Sequence, residues 1–383
     1  MTIEAAVTIE AADQELPLPA PARRLRPGFR WALVVAAVAW FAGLFGAFVG
    51  TRLAEDERGP ARTASTLGLV RAEPRTDPLP EMDVYAAAAT VAPSVVSIHA
   101  VSETGELVGR SSGTGVVLTP DGEILTNAHV VNGAAAVNVR VAGETEPRAA
   151  TVVALDESRD LALLRIDADR LQAATFADPA DIRVGDEVVA VGYALDLDGD
   201  PTVTAGIVSA LGRTSADDTM ALKGLIQTDA PISSGNSGGP LVNSLGEVVG
   251  IVTFVALADI GTTANSLGFA ISNAELLPTV EMLRASVGSG PPAAGYLGVG
   301  LRERTDGGSG ALVSEVQPDS PAEAAGLEVG DAIVAFGGEA VSGAAGLKAV
   351  IRDHEPGDEV VIDVRRDGQA LTVTATLVTR PAD

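Results

Sequence analysis

Residues 228–241 read TDAPISSGNSGGPL, and this stretch decides how the rest of the chain is interpreted. Ser237 lies within it, flanked by glycines on both sides. A serine hydroxyl is a weak nucleophile, so it needs a base and a site that stabilises a negative oxygen. Glycines let the backbone turn its N–H groups toward one point. We therefore expect Gly235, Asn236 and Ser237 to form an oxyanion hole, with the N–H groups of Gly235 and Ser237 as donors. Taken alone, such a string is more often an ordinary turn.

Two other stretches supply the partners that a catalytic serine needs. Residues 126–131, TNAHVV, place His129 directly after an apolar strand pattern, and residues 160–166, DLALLRI, begin with Asp160. A buried acid is costly unless a donor bonds it, and the Nδ1–H group of a histidine is such a donor. The chain order His129, Asp160, Ser237 is that of chymotrypsin-like proteases, not that of subtilisins or α/β-hydrolases.

Composition limits the remaining chemistry. The 383 residues suit two domains, and the absence of cysteine excludes disulfides, thiol nucleophiles and thiolate metal sites. A count of only three histidines argues against a histidine-rich metal site, so we predict no metal and no cofactor. A net charge of −25 argues against nucleic acid as a partner. Short β-branched runs separated by turn signals favour a β-sandwich or barrel, with helices over 273–285 and 344–352.

The N-terminal part predicts a membrane anchor. Residues 31–51 carry no charge, and 21 residues at 1.5 Å each span about 30 Å, the thickness of a bilayer core. Four arginines precede this run, so the positive-inside rule places residues 1–30 in the cytoplasm as a tail and the later residues outside. A cleaved signal peptide is the alternative, but the leader is long and no convincing cleavage site follows. Residues 52–82 are rich in Pro, Arg, Glu and Thr and predict a disordered linker.

The motifs together resemble the HtrA (Deg) family of trypsin-like serine proteases. The resemblance rests on TNAHVV, DLALLRI, TDAPISSGNSGGPL and LGFAIS in this order, with TVTAGIVSALGR at 202–213, and it covers residues 83–383. It implies a mainly β fold, in which residues 83–288 form a chymotrypsin-like double six-stranded β-barrel. The two barrels would lie perpendicular, with the site in the cleft between them. A small α+β PDZ domain would follow over 289–383, and the transmembrane helix would precede both.

The same resemblance locates a pocket for the side chain before the cleaved bond, the P1 residue. The base of this pocket would include Pro231, and its wall would be the strand after the nucleophile. The wall residues are Thr253, Phe254, Val255 and Ala256. No charged residue occupies these places, so a charged P1 side chain would stay unpaired and a small aliphatic one is favoured. Simple barrel packing is the alternative role for these apolar residues.

The C-terminal unit predicts a peptide-binding module. Residues 295–300 read GYLGVG, and residues 320–333 follow the pattern SPAxxAGLxxGDxI of PDZ domains that follow HtrA proteases. The resemblance implies that a peptide C-terminus adds as a strand beside residues 298–302. The predicted peptide-binding residues are Tyr296, Leu297, Gly298, Val299 and Leu347. For Leu347, packing in the domain core is an equally good prediction.

The sequence therefore predicts a membrane-anchored, ATP-independent serine endopeptidase that cleaves unfolded or misassembled extracytoplasmic proteins. The PDZ domain would bind peptide C-termini and either present substrates or gate the protease. By resemblance the chain would form a homotrimer through residues near Tyr85, anchored in the cell membrane as a single-pass protein. The alternative is a PDZ-based peptide sensor or chaperone whose protease domain is latent or inactive.

Overall fold

The computed structural model describes residues 68–75, 77–104, 107–194, 199–216, 220–255, 267–289 and 293–381. The predicted tail (1–30) and membrane span (31–51) lie outside these ranges. Within them, no helix is both long enough and apolar enough to cross a bilayer.

The first six long strands close into an antiparallel β-barrel. A two-residue strand, β1 (Val70–Arg71), and a helix, α1 (Val84–Val91), precede it. The barrel strands are β2 (Val95–Thr104), β3 (Leu107–Val117), β4 (Glu123–Thr126), β5 (Ala136–Arg140), β6 (Arg148–Asp156) and β7 (Leu161–Arg165). Their order around the barrel is β2-β3-β4-β7-β6-β5, and β5 pairs back with β2. A short helix, α2 (Ala128–Val131), leaves the end of β4.

A second ring of six antiparallel strands follows. The strands of this part are β8 (Thr175–Phe176), β9 (Glu187–Gly192), β10 (Thr202–Ala216), β11 (Ala221–Thr228), β12 (Pro240–Val242), β13 (Val248–Val255) and β14 (Gly268–Ser272). The ring runs β13-β12-β9-β10-β11-β14 and closes through the pairing of β13 with β14. β8 pairs in parallel with β13 outside the ring. The predicted double six-stranded barrel is confirmed.

The helix predicted over 273–285 is present as α3 (Asn273–Ala285) and joins the two barrels. Its buried residues, which include Leu276, Val280 and Leu283, belong to a core cluster shared with strands of both barrels. Near its end, the guanidinium of Arg284 pairs with the buried carboxylate of Glu123 on β4, with Nε 3.0 Å from Oε2. The helix therefore fixes the barrels through both apolar packing and an ion pair.

Part of the stretch predicted as a disordered linker is ordered. β1 pairs in parallel with β8, and the N–H group of Ala72 donates to the carbonyl of Phe176 at 2.8 Å. Leu69 and Met82 pack against the protease core. The polar composition of residues 52–82 hid these contacts, because adding a strand to a sheet edge uses backbone groups that every residue carries.

The C-terminal unit is a small α+β domain. Its strands are β15 (Gly295–Tyr296), β16 (Val299–Glu303), β17 (Ala311–Val316), β18 (Ala332–Phe336), β19 (Glu339–Ala340), β20 (Glu359–Arg366), β21 (Gln369–Thr376) and β22 (Val378–Thr379). Its helices are α4 (Pro321–Ala324) and α5 (Ala344–Arg352), and α5 has the predicted bounds. The main sheet runs β16-β17-β18-β20-β21, and Leu347 and Val350 of α5 pack in its core.

Candidate active site

His129 and Asp160 are brought together by the first barrel. His129 lies on α2, directly after β4, and Asp160 lies in the turn before β7, which pairs with β4. The ring atom Nδ1 of His129 is 2.9 Å from Oδ1 of Asp160, and the backbone N–H group of His129 donates to the same oxygen at 3.0 Å. The carboxylate therefore fixes both the position of the histidine and the orientation of its ring.

Asp160 is almost completely buried, with 1% of its surface exposed. Its φ of 53° lies in the left-handed region, which a non-glycine residue occupies only at a conformational cost. Two side chains hold it there. The amide of Asn127 donates to the backbone carbonyl of Asp160 at 2.9 Å, and the hydroxyl of Thr253 donates to Oδ2 at 2.5 Å. Such directed bonds compensate both the burial of the charge and the backbone strain.

Ser237 lies within the tight glycine turn before β12. The turn needs Gly238 to be a glycine, since its φ is +83° and a Cβ atom there would lie 2.1 Å from the carbonyl oxygen of Thr114. The hydroxyl of Ser237 donates to the carbonyl of Thr253 at 2.9 Å. Among the described residues this is the one hydrogen bond that the hydroxyl makes, so its proton points to Thr253 and not to His129.

The three predicted oxyanion-hole residues differ in what their N–H groups do. The N–H group of Asn236 donates to the carbonyl of Ser233 at 3.1 Å and is therefore occupied. Within the described part of the chain, the N–H groups of Gly235 and Ser237 have no acceptor. These two groups remain available for a substrate oxygen, in line with the donors expected from the sequence.

The predicted specificity pocket is only partly described. Pro231 is exposed, and its carbonyl accepts from the hydroxyl of Thr204 at 2.8 Å. The adjacent Ile232, which the sequence reasoning did not name, packs beside the second-barrel core and leaves no room for a side chain at Gly268. Thr253 is buried, and its hydroxyl serves Asp160. The backbones of Phe254 and Val255 pair with β14. Ala256 lies outside the described residues.

The C-terminal domain contains a groove of about 600 Å³. The predicted loop residues line it: Tyr296, Leu297, Gly298 and Val299. Leu347 is fully buried in the domain core, and the residues of α5 that line the groove are instead Lys348, Ile351 and Arg352. Three protease residues also line the groove: Ser158, Met220 and Ala221. The groove is therefore a composite of both domains, which the sequence could not show.

Arg352 connects the groove with the protease domain. Its guanidinium donates to the carbonyls of Ser158, at 3.0 Å, and of Ala221. The next residue, Asp353, accepts from Arg159 at 2.7 Å and pairs with Lys223 at 2.9 Å. Ser158 and Arg159 directly precede Asp160, so this joint lies on the turn that carries the candidate catalytic acid.

The charges of the joint stabilise one another. Burial pushes the pKa of Asp353 upward, but the positive charges of Arg352 and Lys223 outweigh it and hold the pKa below its ordinary value. Burial lowers the pKa of Lys223, but its bonds to Glu339 and Asp353 outweigh this and hold the pKa above its ordinary value. Nearby, burial raises the pKa of the Glu275 carboxyl. Both members of the Lys223–Asp353 pair are therefore held in their charged forms.

No group of three or more metal-binding side chains is assembled within the ranges that the structure describes.

The fold and the His129–Asp160–Ser237 arrangement define a trypsin-like protease domain followed by a PDZ domain. The family models agree: residues 113–251 match the trypsin-like peptidase domain, and residues 295–377 match the PDZ domain. The serine endoprotease DegS of Haemophilus influenzae is 31% identical over 299 residues, which are 76% of this chain and 86% of that protein. The chain belongs to the HtrA family of serine proteases.

Other relatives share only part of their length. A probable periplasmic serine endoprotease, DegP-like, of Marinomonas sp. is 38% identical over 284 residues, which are 72% of this chain. The match covers 58% of that relative, so the chain spans little more than half of its length. Among solved structures, the HtrA-type protease AlgW with a tripeptide is 31% identical, with a TM-score of 0.64. That likeness covers 79% of this chain and 98% of the other.

Proposed function

We propose that the chain is an ATP-independent serine endopeptidase that cleaves unfolded or misassembled proteins outside the cytoplasm. The observation that carries this proposal is the buried Asp160 carboxylate, which accepts from both the ring and the backbone of His129. The buried carboxylate of Asp160 bonds the ring of the half-exposed His129, and this contact has a direct role in catalysis. It orients the ring and stabilises its cation when the ring takes a proton.

The proposed reaction begins with a rotation of the Ser237 side chain away from the carbonyl of Thr253. Its Oγ then attacks the scissile carbonyl, while Nε2 of His129 takes the hydroxyl proton and later delivers it to the leaving amine. The N–H groups of Gly235 and Ser237 bind the oxygen that becomes negative in the tetrahedral intermediate. A substrate that adds as a strand beside β13 brings its own backbone N–H groups to this strand. If one of these N–H groups donates to the carbonyl of Thr253, it replaces the Ser237 hydroxyl there, and the hydroxyl can then bond His129.

We propose a small aliphatic residue at P1. Pro231 and Ile232 offer only apolar side chains at the predicted base, and Ile232 fills the space above Gly268. A charged P1 group would find no partner among these residues and would keep its desolvation cost.

We propose that the composite groove binds peptide C-termini. The N–H groups of Leu297, Gly298 and Val299 would hold the terminal carboxylate, and Gly298, with φ +84°, gives this loop its turn. A structure of the related AlgW with a tripeptide supports peptide binding by proteins of this architecture. Because Ser158 and Ala221 also line the groove, a bound peptide would touch the protease domain as well.

We further propose the predicted arrangement in the cell. Residues 1–30 would lie in the cytoplasm and residues 31–51 would cross the bilayer. Part of 52–82 would act as a linker, with the protease over 83–288 and the PDZ domain over 289–383 outside the membrane. The name of the Marinomonas relative, a periplasmic endoprotease, supports the extracytoplasmic location. Tyr85, with 84% of its surface exposed on α1, supports a homotrimer contact near the start of the protease domain.

One observation favours a second candidate function, a PDZ-based sensor or chaperone with a latent protease. The Ser237 hydroxyl is bonded to Thr253 and not to His129. The test is labelling of the full chain in detergent micelles with a fluorophosphonate, with and without a peptide bearing a free C-terminus. Wild-type labelling that is lost in Ser237→Ala, together with cleavage of an unfolded protein, supports the protease. Labelling only with peptide supports gating, and absence of labelling in both states contradicts the protease proposal.

A further inference from the structure

Thr114 lies on β3 of the first barrel, yet it contacts the nucleophile turn of the second. Its side chain is completely buried. The hydroxyl donates to the carbonyl of Gly235 at 2.6 Å and accepts from the N–H group of Tyr193, at the end of β9, at 2.9 Å. A hydroxyl has one donor and can accept two bonds, so both of its functions are in use.

The backbone of Thr114 contacts the same turn. Its N–H group donates to the carbonyl of Ser237 at 2.9 Å, and its carbonyl accepts from the hydroxyl of Thr126 at 2.7 Å. Thr126 is the last residue of β4 and stands three positions before His129. One residue therefore holds the turn at Gly235 and at Ser237, and it is itself tied to the strand that leads to His129.

We infer that Thr114 is a positioning residue for the oxyanion hole. The two N–H groups available to a substrate oxygen belong to Gly235 and Ser237, and Thr114 bonds the carbonyl of each of these residues. The inference rests on the proposed serine protease function. It assigns Thr114 no contact with substrate: the residue acts by keeping both donors in place before the reaction starts, because preorganised donors are what lowers the barrier.

Packing alone does not explain this residue. A valine has nearly the shape of threonine and would fill the same buried space. It would, however, leave the carbonyl of Gly235 and the N–H group of Tyr193 without a partner in the interior, which is unfavourable for both groups. The hydroxyl is therefore the part of Thr114 that the turn requires. Its contribution can be distinguished from that of the methyl group, because valine lacks only the hydroxyl and serine lacks only the methyl group.

The test compares Thr114→Val with Thr114→Ser in the full chain. Loss of a single oxyanion-hole donor lowers kcat by about 10²–10³. Because Thr114→Val only loosens the donors, we expect a loss of about 10–100-fold in kcat per active site, counted by fluorophosphonate labelling carried to completion. The KM should stay within about twofold, since the ground-state contacts remain. A peptide boronate, which places an anionic oxygen in the hole, should bind at least about tenfold more weakly. Thr114→Ser should restore kcat.

Thr279→Val is the matched control. Thr279 is a buried threonine on α3 whose hydroxyl donates to the carbonyl of Glu275 in the same helix, at 2.7 Å, and not to the nucleophile turn. The same substitution there should leave kcat per site unchanged. If Thr114→Val does not fold, Thr114→Cys takes its place, because a thiol is a weak donor and should give an intermediate loss of kcat.

The inference is overturned by wild-type kcat in Thr114→Val or Thr114→Cys, by an equal loss in Thr114→Ser, or by a loss confined to KM. Failure of the proposed function would look different. In that case the wild-type chain itself would neither cleave peptide nor be labelled at Ser237.

Discussion

Replacing Asp160 with asparagine tests the proposed mechanism most directly. Oδ1 of Asp160 accepts from the backbone N–H group of His129. Because this N–H group can only donate, the oxygen of the new asparagine amide should take the position of Oδ1. The amide nitrogen would then replace Oδ2, where the hydroxyl of Thr253 can rotate and become the acceptor. The fold should therefore survive. The amide N–H would face Nδ1 of His129 and favour the ring tautomer that cannot accept the Ser237 proton.

The size of the effect follows from the lost charge. An imidazolium and a carboxylate with centres about 4 Å apart attract by about 4 kcal/mol at an effective dielectric constant of 20. At 1.36 kcal/mol per factor of ten, this corresponds to about 10³ in rate. Aspartate-to-asparagine replacement in Ser-His-Asp triads lowers kcat by about 10⁴ because the tautomer is also wrong. We expect a loss of about 10³–10⁴ in kcat.

The assay is hydrolysis of a peptide with a small aliphatic P1 residue, together with thermal unfolding of each variant. Asp156→Asn is the control, because Asp156 is a buried aspartate at the end of β6 whose carboxylate accepts from Ser158 and Arg159 and not from His129. It should alter stability and leave kcat within a few-fold of wild type. A kcat within tenfold of wild type in Asp160→Asn, or equal losses in both variants, would refute the assigned role.

Two further predictions concern the contacts around the site. Glu123→Gln removes one charge from the mostly buried pair with Arg284, and breaking such a pair costs about 3 kcal/mol. Calorimetry should show a Tm about 6–12 °C lower, and an unchanged Tm would contradict the stabilising role of this pair. The second concerns acid: burial raises the pKa of Asp353, but Arg352 and Lys223 outweigh it, so the folded pKa lies below the ordinary value of 3.8. The stabilisation from Asp353 is thus fully present above that value and is lost as the pH falls through the folded pKa. Between pH 3 and 7, wild-type Tm should fall more steeply on acidification than the Tm of Asp353→Asn, and parallel curves would disprove the prediction.

The barrels and the triad were predictable because their signals are local. His129, Asp160 and Ser237 each stand in a short motif of fixed residue types, and chain order alone distinguishes chymotrypsin-like proteases from the other serine hydrolases. The helices over 273–285 and 344–352 appear in the sequence as apolar periodicity between turn residues, and the structure gives both with these bounds.

The remainder depended on contacts between residues distant in the chain. The family resemblance places Thr253 in the pocket wall, and the structure adds that its hydroxyl bonds Asp160, 93 residues earlier in the chain. A polar residue in an otherwise apolar strand was the available signal. For Leu347 the sequence leaves the groove and the domain core open, and the structure places it in the core, where the apolar face of an amphipathic helix packs. The residues beside that face, such as Ile351, are the ones that line the groove.

The joint between the domains bears on how the proposed gating could work. Arg352 lines the peptide groove and bonds the carbonyl of Ser158, two residues before Asp160, so the groove and the candidate catalytic acid share one short segment of backbone. Proximity alone does not couple two sites: a peptide shifts the protease only if it binds more tightly to the form with an aligned triad. Coupling of that kind is reciprocal. A peptide that raises the affinity of the active site for a reversible transition-state analogue must therefore bind more tightly, by the same factor, to a chain that already holds this analogue. If the analogue left peptide affinity unchanged, the shared segment would be a structural joint alone.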